Sequence, residues 1–161
     1  MAPHTRTIVD RVTQSTHLST MARHRHSHVS RSHTLRTLLL VGTGGFIGSV
    51  LRYLLSSYLQ QLSKGLQFPF GTLAVNVVGC VLVGFLAELA DQRSLISDET
   101  RGFLIVGLLG GFTTFSAFGN ETMNLLRDGE PWLAFGNILG HITFGLFSVW
   151  LGYSMASLLW K

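Results

Sequence analysis

The chain has 161 residues, 47% of them hydrophobic and only 12% charged, whereas soluble domains carry about 25% charged residues. Its net charge of +4 is placed unevenly: residues 1–36 hold six of the twelve Lys and Arg and six of the seven His, with Asp10 as their one acid. The remainder is apolar, small or hydroxylated, which sets aside a soluble helical bundle, since such helices would show a polar stripe.

Residues 1–36 form a basic tail rich in Ser, Thr and His, with HRHSHVSRSH at 24–33. It has no apolar face and is expected to be disordered. Three readings of it stay open. It is an extension upstream of a start at Met21, a transit peptide of the Arg- and Ser-rich, acid-poor kind, or a metal-binding tract. For the last, histidines without a neighbouring acid or Cys fix no geometry.

From residue 37 onward the chain reads as one all-α membrane domain, 37–161, of four transmembrane helices. Each segment reaches the roughly 20 residues needed to cross a hydrocarbon core. The first span, TLLLVGTGGFIGSVLRYLLSSYL (37–59), carries Arg52 near its end. This Arg either snorkels to the interface or faces a wet vestibule and attracts anions. The second span, 70–90, places Thr72 and Asn76 four residues apart and therefore on one face. Asn76 is either a helix–helix glue or an amide donor turned to a ligand. Cys80 is alone and reads as a small packing residue.

The third span, 102–126, interrupts itself with Gly110-Gly111 followed by Thr113, Thr114 and Ser116. Such residues are poor helix material and predict a helix broken mid-membrane. Irregular backbone at that depth survives only when buried in protein or lining a cavity, and it frees carbonyls and amides for ion binding. Phe115 and Phe118 project from one face of the resumed helix. They are either ordinary core or rings whose positive edges line an anion path. The fourth span, 131–160, opens with Pro131-Trp132 and closes with Trp160-Lys161, aromatics of an interface belt. His141 within it, with no nucleophile or acid beside it, reads as a hydrogen-bonded packing residue.

The spans contain 16 of the 18 glycines, including the small-xxx-small pairs Gly44/Gly48, Gly107/Gly111 and Gly136/Gly140. Four tightly packed helices leave little room for a wet path inside one chain, so the polar groups are expected to meet at a subunit interface, minimally in a homodimer. Arg93, Arg101 and Lys161 fall on one side of the membrane and Lys64 and Arg127 on the other, a difference too small to fix orientation. The tail would bias its own side toward the cytoplasm.

Together GGFIGSVLRY (44–53), FPFGTLAVNVVGC (68–80) and GLLGGFTTFSAF (107–118), followed by Glu121, resemble the fluoride channel family of microbial membranes, the CrcB or Fluc proteins. The resemblance covers roughly residues 38–160. It implies a passive fluoride channel of the plasma membrane that relieves fluoride toxicity, built as an antiparallel, dual-topology dimer with two pores. By resemblance Asn76 donates to fluoride, Phe115 and Phe118 are the pore phenylalanines, and Thr72, Ser116 and Thr114 line the path beside them. Arg52 sits at the vestibule, and Glu121 belongs with the pore. A sodium ion at the dimer centre is implied too, held by the backbone carbonyls of Gly110 and Thr113.

Ala117 stands where the family commonly has a hydroxyl, and the tail raises a paralogous second subunit as the alternative to a homodimer. The expected partners are fluoride, lipid and a second subunit, with no nucleic acid. Two other readings compete: a proton-coupled multidrug exporter, which needs an acid in the first span where this chain has Arg52, and a non-transporting scaffold, for which a hydroxyl-lined break serves no purpose.

Overall fold

A computed structural model describes residues 34–91 and 96–159. Most of the tail, Arg93 in the second connector, and Trp160-Lys161 lie outside these residues. The chain divides into two units, Met1–Leu38 and Leu39–Lys161, and the packing below is that of the second. Every regular element among the described residues is helical. Four stretches are long and apolar enough to cross a membrane: Thr34–Leu62 (α1), Phe70–Asp91 (α2), Asp98–Arg127, and Pro131–Leu159 (α5). The third runs as α3 (98–112) and α4 (Phe115–Arg127), and the middle of α3, Gly102–Leu109, is wound as a π-helix.

Local chemistry sets the boundaries. Gln60 spans the first connector: its Nε2 donates to the Phe68 carbonyl (3.3 Å), and its Oε1 accepts the Gly71 amide (3.2 Å), an orphan donor of the α2 N-terminus. Ser97 caps α3 by accepting the Thr100 amide. Past the end of α4, Gly129 takes φ +80°. The amides of Gly129 and Glu130 return to the carbonyls of Leu126 and Leu125, closing a Schellman turn. Pro131 then opens α5, where its missing N–H costs nothing.

The helices dock through glycine. A Cβ on Gly48 would lie 2.0 Å from the Leu108 carbonyl oxygen, and one on Gly111 would lie 2.4 Å from that of Gly45. Gly44 and Gly107 face each other in the same way, so α1 and α3 touch backbone to backbone along both predicted glycine pairs. The pair Gly136/Gly140 behaves differently: only side chains approach, Phe68 at 3.8 Å and Leu73 at 3.7 Å. The close contact of α5 with α2 is made by Gly152 against Val81 and by Gly84 against Val149.

This packing buries small residues and leaves large ones outside. Phe46, Trp132 and Phe147 are exposed, and in no span is more than 28% of the most apolar window buried. Apolar surface on that scale needs a non-aqueous surrounding. The protein is a multi-pass membrane protein.

Candidate functional site

The helical ladder stops after Phe112. Thr113 (φ −83°, ψ 155°) and Thr114 (φ −149°, ψ 114°) are both extended, and helix resumes at Phe115. Two side chains hold this interruption. Asn76 on α2 pairs with the backbone of Thr114: the Thr114 amide donates to Asn76 Oδ1 (2.8 Å), and Asn76 Nδ2 donates to the Thr114 carbonyl (3.1 Å). Thr114 Oγ1 in turn accepts the Ala117 amide (3.1 Å), capping α4, and shares a 3.2 Å hydrogen bond with Ser116 Oγ. Gly79, one turn beyond Asn76, leaves the space that Thr113 fills; a Cβ there would lie 2.2 Å from the Thr113 methyl.

These bonds free two carbonyls. In an unbroken helix the Thr114 amide would go to Gly110 and the Ala117 amide to Thr113. Both amides are engaged elsewhere, by Asn76 and by the Thr114 hydroxyl. The carbonyls of Gly110 and Thr113 thereby lose their helical donors, and two hard oxygen atoms of this kind suit a small hard cation.

Beside the interruption lies an open cleft of about 730 Å³ whose wall includes Asn76, Thr114, Phe115, Phe118 and His141. Phe115 and Phe118 stand 5.4 Å apart at 56°, and Phe115 is 82% exposed. Asn76 spends one of its two Nδ2 hydrogens on Thr114, and the second remains for the cleft. A separate polar cleft of about 390 Å³ is lined by Ser56, Ser57, Gln60, Thr72, Glu121 and Asp128, among others. There the Thr72 hydroxyl donates to Glu121 Oε1, while Oε2 is buried without a partner. Of the sequence-predicted residues, the first cleft gathers Asn76, Thr114, Phe115, Phe118, Gly110 and Thr113, and the second gathers Thr72 and Glu121. Arg52 and Ser116 line neither; Ser116 is exposed, and Arg52 is half-buried, with Nε unpartnered.

Comparison with known proteins decides the family. The description "CrcB-like protein, Camphor Resistance (CrcB)" matches residues 39–153. The chain belongs to the CrcB-like family. Among its relatives, a protein of Chlorobium phaeobacteroides (strain BS1) is 47% identical over 121 residues, which are 75% of this chain and 93% of the relative. One of Methylobacillus flagellatus is 44% identical over 121 residues, covering 75% and 94%. Both are described as a fluoride-specific ion channel FluC. A protein of Methanosarcina barkeri, described as fluoride-specific ion channel FluC 3, is 41% identical over 120 residues, covering 74% and 89%.

The CrcB-matched segment contains every residue of both clefts. It also contains His141, which sequence reasoning assigned to hydrogen-bonded packing and which the structure places on the cleft wall as well. His141 bonds its own helix, with Nδ1 3.0 Å from the Asn137 carbonyl, and its ring also lies tilted against Phe118 at 4.4 Å and lines the first cleft. The signal available in sequence was only that an intramembrane imidazole demands a reason.

Proposed function

We propose that this chain is a fluoride-selective channel that lets the anion leave the cell passively and so lowers cytoplasmic fluoride. The observation that carries the reading is the single cleft where the Asn76 amide, the Thr114 hydroxyl and the rings of Phe115 and Phe118 converge beside an interrupted helix. Fluoride is small and tightly hydrated, so its path must replace water with short, strong donors while still releasing the ion. Amide and hydroxyl hydrogens do this, and the electropositive ring edges add to it. The Thr72–Glu121 cleft lies one helical turn along α2 from Asn76, and one along α4 from Phe118, and continues the path toward one face. Arg52 raises the local anion concentration from the first span.

Conduction is not enzymatic and needs no proton coupling. The first span holds no acid, which disfavours the multidrug exporter. With the cell interior negative, each exported anion gains about 2.3 kcal/mol per 100 mV. Purified protein in liposomes is expected to release fluoride and retain chloride, followed with ion-selective electrodes. Equal efflux of both halides would reject the reading.

The exposed Phe115 wall and the openness of the cleft support a second subunit closing it, in an antiparallel dimer set in the plasma membrane, with the helix interruption at membrane depth. The near-equal charge of the two sets of connectors fits insertion both ways up. The freed carbonyls of Gly110 and Thr113 in each subunit would hold a structural sodium ion, a fixed positive charge that joins two broken helices. The purified assembly is therefore expected to have a two-chain mass, to expose its termini on both faces of vesicles, and to lose thermal stability when sodium is replaced by a large organic cation. A one-sided terminus, or stability indifferent to sodium, would count against the corresponding part.

A further inference from the structure

We propose that His141 is an anion-binding residue of the pathway that works only as the imidazolium, so that fluoride flux through this chain rises on acidification. The inference rests on the fluoride reading above and adds to it a residue on α5.

The geometry fixes where the proton goes. A carbonyl oxygen can only accept, so the 3.0 Å contact with the Asn137 carbonyl places a hydrogen on Nδ1. In the neutral ring the lone pair is then on Nε2, and Nε2 is buried with no partner. Neutral His141 thus holds an unsatisfied acceptor within the wall of the cleft, which an anion avoids. The imidazolium has a second N–H donor and a full positive charge, and no protein acceptor competes for that hydrogen.

The position of the ring is held. Asn137 is fully buried, and its Nδ2 donates to Thr122 Oγ1 (2.9 Å). The Thr122 hydroxyl donates to the Phe118 carbonyl (2.8 Å). This chain of bonds ties the turn carrying His141 to the turn carrying Phe118, whose ring lies 4.4 Å away at 39°. Phe115, Phe118 and His141 therefore form a continuous run of rings on the wall that also carries Asn76. The Phe118 ring is a ready cation–π neighbour for the charged form.

No other side chain on that wall duplicates or cancels the charge, and the sodium ion proposed at Gly110 and Thr113 would carry a charge that does not change with pH. Among its lining residues the one other titratable side chain is Cys80 of α2. Glu121 of α4 is engaged with Thr72 in the polar cleft. Residues 102–112 of α3 carry no titratable side chain, and α5 carries none within a turn of His141. Arg52 of α1 does not line the cleft.

The test is fluoride efflux from liposomes holding the full chain, with equal pH on both sides and the leak of protein-free vesicles subtracted. As the pH is lowered from about 8 to about 5, a range wide enough for histidine to gain its proton, the wild-type rate is expected to rise about fivefold or more. His141→Gln keeps a polar side chain without the titration and should give a rate that does not change with pH. A flat wild-type profile, or a rise that survives in His141→Gln, would overturn the proposal and leave the fluoride reading intact. No fluoride efflux at any pH would overturn both. If His141→Gln fails to assemble, a chain with His4, His17, His24, His26, His28 and His33 all replaced by Gln decides the matter. A rise retained there and also with Glu121→Gln added comes from His141, the one histidine left, whereas a rise lost with the tail histidines belongs to the tail.

Discussion

Asn76→Ala is expected to lower fluoride efflux by about a hundredfold or more. The substitution removes a donor from the cleft and also the partner of the Thr114 amide and carbonyl. Polar groups left bare in a buried setting cost about 1–3 kcal/mol each, and about 3 kcal/mol on a barrier is already a hundredfold in rate. Two outcomes separate the roles of the side chain. Asn76→Asp retains an acceptor for the Thr114 amide but has no donor for the anion, and its charge repels fluoride. It should assemble better than Asn76→Ala in size-exclusion chromatography and conduct no better. Efflux from either variant within threefold of wild type would show that Asn76 neither holds the interruption nor serves the ion.

Gly48→Val is expected to prevent assembly of a monodisperse protein. Even a single methyl would sit 2.0 Å from the Leu108 carbonyl oxygen and 2.9 Å from the Phe112 amide nitrogen. Both are backbone atoms, so no rotamer change relieves the clash, and α1 must lift away from α3. Overpacking commonly costs about 1–3 kcal/mol where side chains can yield, and this site has none to yield. The displacement also reaches the interruption itself, because Phe112 directly precedes Thr113. Gly42→Ala is the matched control: nothing lies within 4 Å of a Cβ there, and helix propensity favours Ala by about 1 kcal/mol. Yield and elution profile of the two variants in detergent are the measurement, and equal behaviour would mean that the glycine seam is not what joins these helices.

Much of the fold was legible because a hydrocarbon solvent imposes a coarse code. Spans predicted at 70–90 and 131–160 run in the structure as Phe70–Asp91 and Pro131–Leu159, since length and apolarity alone satisfy the bilayer. The seam of Gly44, Gly48, Gly107 and Gly111 was visible too, as spacing. Spacing did not say which seam is used. Gly136/Gly140 has the same pattern but meets only side chains, while Gly84 and Gly152, neither with a glycine four residues away, carry the α2–α5 contact. The rotation of each helix about its axis decides between them, and that rotation is set by all the contacts together.

The site divides in the same way. The amino-acid sequence by itself determined the ingredients: four spans, a glycine–hydroxyl interruption in the third, an amide at Asn76, and two phenylalanines one turn apart. These follow from residue type and local spacing, which the chain carries without folding. Only the tertiary structure decided the partners. It joined Asn76 to Thr114 across 38 residues and Thr72 to Glu121 across 49. It also brought His141 from α5 onto the wall shared by Phe118 and Asn76. A hydrogen bond acts over about 3 Å, so which groups satisfy one another depends on how the helices dock, and docking is a property of the whole bundle.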